Sequence, residues 1–282
     1  MNINYLRIRI KEIIFSKEFQ AILVISSIIM NYYYYIKIKS SINSYQSQSI
    51  DYYNLFFSND NMEFLFAGYY LSLFISILAV AATSTIYVND KNIGLKNKFI
   101  MILDRKNYYM NNIIIIFIST FILLFLPFFI NFLLTLLIYN KDAFIDLGMG
   151  VFFSPISIYN MPLIEIYKIS PLLLNFIYTL IPAIAMSIWA IFIYSLSLFI
   201  KDAKAYHISI ISLMLYMMID FSLEFLGHPN LRFSLFFYPE TSLRPKLNFS
   251  YFIVMCIMLI FLSIINVILK VKYFKDEIWN LR

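Results

Sequence analysis

Residues Asn89 to Asn112 read NDKNIGLKNKFIMILDRKNYYMNN and lie between two long apolar segments. Lys91, Lys96, Lys98, Arg105 and Lys106 stand there against Asp90 and Asp104. Inside the stretch is an apolar insert, Phe99-Ile100-Met101-Ile102-Leu103, too short to cross a bilayer. Ile93 to Leu103 therefore reads as a short, partly apolar, basic helix between two spans. Such an element suits contact with a soluble partner on the cytoplasmic side. The same spacing also fits an ordinary basic loop that only fixes topology.

Working outward, the composition is that of an integral membrane protein. Hydrophobic residues make up 61% of the 282, charged residues 13%, and mean hydropathy is +0.77. A soluble domain carries roughly 25% charge. No polar stretch is long enough to house a sizeable soluble domain. The net charge of +6 is accounted for by basic flanks of spans, without nucleic acid. The lone Cys256 excludes an intrachain disulfide and a cysteine metal site.

The pattern predicts an all-α fold of six spans in one transmembrane domain, residues 1–282. The spans fall at about 19–35, 62–88, 112–139, 171–200, 205–226 and 249–269. Before the first, residues 1–18 hold Ile3, Leu6, Ile10, Ile13 and Ile14 at helical spacing. Arg7 and Lys11 lie opposite, so this reads as an amphipathic helix on the inner membrane surface. Tyr32 to Tyr35 suit the headgroup level. Ser170-Pro171 supplies an N-cap and a first-turn proline for span four. Pro127 and Pro182 sit inside spans three and four, where neighbouring helices must satisfy the freed backbone. Residues 40–61 and 141–170 read as outer loops. Gly227 to Asn248 holds Pro229, Pro239 and Pro245 around LRFSLFFY, and reads as an outer segment that dips into the leaflet and returns. Fifteen of the 22 Lys and Arg then share one side with both termini and seven lie on the other. That asymmetry places the termini and the central stretch in the cytoplasm.

With these residues in place, the chain resembles the permease subunits of type-2 ABC exporters. In that family span two ends near an acidic residue, followed by a glycine, a short helix, a basic residue and a tyrosine. Here these are Asp90, Gly94, Ile93 to Leu103, Arg105 with Lys106, and Tyr108 or Tyr109. The family often has glutamate at the position of Asp90 and lysine at the mouth of span three, where this chain has Asn111-Asn112. The resemblance implies Asp90, Ile93, Gly94, Phe99, Ile100, Leu103 and Arg105 as residues coupling the chain to an ABC ATPase subunit. It also implies a second permease copy or homologous permease and a bacterial cell membrane. ATP and Mg would be bound by the partner ATPase, with no cofactor in this chain. Consistently, none of the five glycines forms a phosphate-binding loop of the G-x-x-x-x-G-K-[ST] type. The chain is therefore expected to be a transport subunit and not itself an enzyme.

Chemistry within the spans is sparse. Asp220 and Glu224 are four apart and share one face of span five. They are candidates for a translocation path, or else structural carboxylates near the outer headgroups. His207 and His228 lie at opposite ends of that span and cannot share a metal. Met214, Met217 and Met218 read as packing. An intramembrane protease would need ligands or a nucleophile converging at one depth, and the sequence shows no such motif. The alternative to the exporter is a non-transporting sensor or immunity protein that binds a peptide or lipid. The aromatic-rich outer regions lean toward an apolar or amphipathic substrate, such as an antimicrobial or signalling peptide.

Overall fold

The computed structural model describes residues 3–43, 74–138, 164–200, 204–228 and 249–273. All regular structure among them is helical: α1 (Ile3–Ile14), α2 (Lys17–Asn43), α3 (Ile75–Ala81), α4 (Ile86–Asn92), α5 (Leu95–Leu103), α6 (Arg105–Ile138), α7 (Ile164–Ile169), α8 (Pro171–Ser197), α9 (Ala205–Phe225) and α10 (Phe249–Tyr273). Among the described residues, four stretches are long and apolar enough to cross a bilayer: Arg105–Leu134, Thr179–Ser197, Ala205–Leu223 and Phe249–Tyr273. Helices of that length and apolarity mark a membrane protein.

Local chemistry explains several helix ends. Ser170 stands extended before Pro171, and its hydroxyl accepts the Leu173 N–H at 3.3 Å. That is the expected N-cap, with proline where its missing N–H costs nothing. At the other end of the chain's peripheral helix, Gly227 has φ +78. The His228 N–H reaches back to the Leu223 carbonyl at 2.9 Å and closes α9. Pro127 and Pro182 both lie within continuous helices.

Other limits differ from the sequence reading. Helix α2 continues to Asn43, past the expected end of span one, because 36–43 contains neither Gly nor Pro to stop it. Span three is expected from residue 112, yet α6 starts at Arg105, directly after α5. A short helix, α7, occupies part of the expected loop 141–170. Residues 62–73, the rest of both outer loops and the segment 229–248 lie outside the described residues.

The described part of the expected second span is also not one helix. It breaks at Ala82–Thr85, where Thr83, Ser84 and Thr85 are buried. A break in a buried helix needs a cause, and here neither glycine nor proline supplies one. Hydroxyls do. Thr83 Oγ1 donates to the Ala79 carbonyl at 2.6 Å and Thr85 Oγ1 to that of Ala81 at 3.3 Å. Ser84 Oγ donates across to the Ala190 carbonyl of α8 at 2.8 Å, and Thr120 of α6 donates to Thr83 at 2.8 Å. Irregular backbone at membrane depth is tolerated when protein groups satisfy it in this way.

Helices α6 and α8 form the centre, with their most extensive contact between them. Trp189, Tyr194, Leu123, Leu124 and Phe128 fill it. Helices α1 and α2 pack on α6, α10 on α8, and α9 chiefly on α3. Trp189 Nε1 donates to Ser212 Oγ, which donates to the Ser76 carbonyl, each at 2.9 Å, tying α8, α9 and α3 together. Such bonds contribute about 0.6 kcal/mol each within a bilayer, so they fix register more than they stabilise. The outer stripe of α9 is Tyr206, Ile210, Met214, Met218, Phe221 and Phe225, all exposed, which suits lipid and not water.

Candidate functional site

Most of the apolar stripe of α1 packs against the protein. Leu6 and Ile13 are buried, and Ile10 and Ile14 pack half-buried against the same core. Its exposed residues include Ile3, Arg7, Ile8 and Lys11. Tyr5, Arg9 and Ile13 follow at i, i+4 and i+8, so Arg9 is carried into the apolar face.

There Arg9 meets Asp90 of α4. Arg9 Nη2 pairs with Asp90 Oδ1 at 2.5 Å, and Tyr108 of α6 donates its hydroxyl to Asp90 Oδ2 at 2.8 Å. Asp90 is 3% exposed. Burial raises its carboxyl above the ordinary value, partly offset by the Arg9 charge and the bonds from Tyr108 and Arg9. Burial pulls the Arg9 pKa down, but the Asp90 charge and the bonds to Glu12 and Asp90, with the Tyr5 hydroxyl nearby, together outweigh it, so it is raised. Glu12 holds the other side of Arg9 at 2.8 Å from an exposed position. Tyr5, its pKa pushed up to about 12 mainly by burial, keeps its proton and donates to Asn112 Oδ1 at 3.2 Å.

After α4 the chain turns at Gly94, whose φ of +78 belongs to the left-handed region that glycine enters without penalty. A Cβ there would meet no neighbour, so the restriction is conformational and not one of space. Helix α5 follows with two unlike faces. Lys96, Phe99, Ile100 and Leu103 turn toward the body; Asn97, Lys98, Met101 and Ile102 turn away. On the inner face, Phe99 receives the Tyr5 ring edge-on at 5.4 Å and stacks on Tyr108 at 6.3 Å. The Arg9 guanidinium lies 5.0 Å over its ring. Lys96 is buried along its stem, with Nζ 5.3 Å over the Tyr87 ring. On the outer face, Met101 is 71% and Ile102 74% exposed, and Ile93 at the turn is 71% exposed.

Asp104 ends α5 with φ 63 and ψ 152. Non-glycine residues rarely hold such a backbone, at a cost of about 1–3 kcal/mol. Its carbonyl accepts the Tyr108 N–H at 3.0 Å and so opens α6. The next residue, Arg105, donates from Nη1 to the Val271 carbonyl and from Nη2 to that of Lys270, both at 2.9 Å.

The seven coupling candidates are thus one continuous hairpin, but they divide by role. Asp90, Phe99, Ile100, Leu103 and Arg105 bind the hairpin to the body, Gly94 turns it, and Ile93 faces out. Met101 and Ile102 complete the bare apolar surface, and Tyr5, Arg9 and Tyr108 complete the anchor. The signal for Arg9 is its place in the stripe of Tyr5 and Ile13. Asp220 lies elsewhere. It is buried on the face of α9 that carries Ile208, Ser212 and Tyr216, turned toward the protein. Glu224 is one turn on, and its side chain lies outside the described residues. Among the described residues, no three of His, Cys, Asp and Glu lie close enough to hold a metal ion. No protein-family model, curated protein or solved structure matches this chain.

Proposed function

We propose that the chain is the membrane subunit of an ATP-binding-cassette exporter. It moves an apolar or amphipathic substrate, such as an antimicrobial or signalling peptide, outward, driven by a separate ATPase subunit. A second permease copy, or a homologous one, completes the path. The observation that carries this reading is the division of α5. One face is locked to the transmembrane body through Phe99 and Leu103, while Met101, Ile102 and Ile93 stand bare beside Lys98. A helix held rigidly from behind and apolar in front is built to receive a push from a docked partner. In this reading six spans lie above that face, and the fifteen-to-seven distribution of basic residues supports its cytoplasmic side.

Two measurements test this. Met101→Ala and Ile102→Ala should weaken copurification with the ATPase at least tenfold, because docked apolar anchors carry most of an interface's energy. Lys98→Ala should change it less than threefold, since an exposed rim charge contributes about 0–1 kcal/mol. Neither apolar residue supports the fold, so loss of partner cannot be blamed on unfolding. An ATPase that fails to copurify even with the unaltered chain would favour the sensor or immunity protein. For topology, single cysteines at Ser47 and Ser157, in a Cys256→Ser background, should label from outside intact cells. One at Asn97 should not, and labelling there would overturn the inner placement of α5.

A further inference from the structure

Asp104 and Arg105 are adjacent, and opposite demands fall on them. Asp104 holds a backbone conformation, φ 63 and ψ 152, that persists only when its surroundings impose it. Arg105 is where they grip. Its two Nη atoms donate to the Lys270 and Val271 carbonyls. These belong to the last turn of α10, whose carbonyls have no partner within the helix. The negative end of the helix also favours a guanidinium. Val267 is buried, Val271 packs against the core, and the Lys270 ammonium lies 6.0 Å over the Phe199 ring beyond α8. The end of α10 is therefore a firm anchorage.

We infer that the last turn of α10 is a latch on α5. While Arg105 is gripped, the start of α6 is fixed in direction and Asp104 is held at positive φ. Helix α5 then stays folded back with Phe99 and Leu103 on the body. When the last turn of α10 lets go, Asp104 is free to relax to negative φ, and α5, held by its Phe99 and Leu103 face alone, parts from α6 more often. Any event that loosens this turn of α10 therefore acts on α5, although Arg105 and Val271 lie 166 residues apart in sequence. The latch regulates ATPase docking only if α5 is the docking helix proposed above, so its test uses no ATPase.

The experiment is amide hydrogen exchange on the full chain in lipid nanodiscs, comparing the unaltered protein with Arg105→Ala, Asp104→Gly and the double variant. Arg105→Ala should speed exchange in α5 tenfold or more while α8 is unchanged. In the Asp104→Gly background the same change should speed it less than threefold, because glycine holds the turn without strain. Arg105→Lys keeps a charge but loses the fork, and should fall between; it serves if the alanine variant does not fold. Unchanged α5 exchange on releasing Arg105 would overturn the latch. An equal increase in both backgrounds would also overturn it, leaving Arg105 as a helix cap alone. Partner copurification does not enter this readout, so a failed latch and a failed exporter reading are separable.

Discussion

Asp90→Ala is expected to destabilise the protein by about 3–5 kcal/mol, the usual cost of stranding one member of a buried ion pair. It leaves Arg9, with a side chain 12% exposed, facing a cavity. The remaining Glu12 contact sits at an exposed position and returns little. It also deprives the Tyr108 hydroxyl of its acceptor. The physical origin can be tested by a cycle of Arg9→Met, Asp90→Asn and the double variant. Asparagine still accepts from Tyr108, and methionine fills the arginine stem's volume. The double variant should therefore lose less than the sum of the singles, by about 1–3 kcal/mol. Thermal unfolding in detergent or nanodiscs measures this; strict additivity would show that the pair is not coupled. Because burial raises the Asp90 carboxyl, the folded state binds its proton more tightly than the unfolded. Its contribution therefore favours folding below the ordinary carboxylate range and is lost as pH rises through its raised value. Mild acidification should not weaken the fold through this residue.

Phe99→Ala should cost about 3 kcal/mol, whereas Met101→Ala, two residues on, should fall within about 0.5 kcal/mol of the unaltered protein. Phe99 is half-buried against Tyr5, Tyr108 and the Arg9 guanidinium, so truncation opens a gap between three elements. Outside the apolar spans water is the competing solvent, so the hydrophobic penalty exceeds that between helices deep in lipid. Comparing the two unfolding midpoints reads this directly. Equal midpoints would mean that α5 is not docked by its Phe99 face.

Helix ends with chemical punctuation were readable in the sequence. Ser170-Pro171 starts α8 where expected, and Gly227 closes α9 within a residue of the expected limit. The short helix α5 was readable from its length and its flanking charges. Its facing was not, because Phe99 to Leu103 is apolar at every position and an unbroken run has no phase. Lys96 and Lys98, two apart, fall on nearly opposite sides of a helix, and the first is buried while the second is exposed. The Arg9 pairing spans 81 residues, beyond any local period. The break at Ala82–Thr85 rests on hydroxyls finding carbonyls on their own and neighbouring helices, which composition does not announce. Asp104 gives no warning of its φ 63 and ψ 152, a region that residues other than glycine hardly ever enter.

The two faces of α5 also separate two kinds of change. Phe99, Leu103 and Lys96 are answerable to the fold, and a substitution there must be matched by Tyr5, Arg9, Tyr87 or Tyr108. Asn97, Lys98, Met101 and Ile102 touch none of these and answer only to whatever they meet outside. Four exposed positions on a nine-residue helix could thus be rewritten, or exchanged for another chain's, with the membrane body left as it is. A new association could arise by such an exchange without first passing through an unfolded subunit.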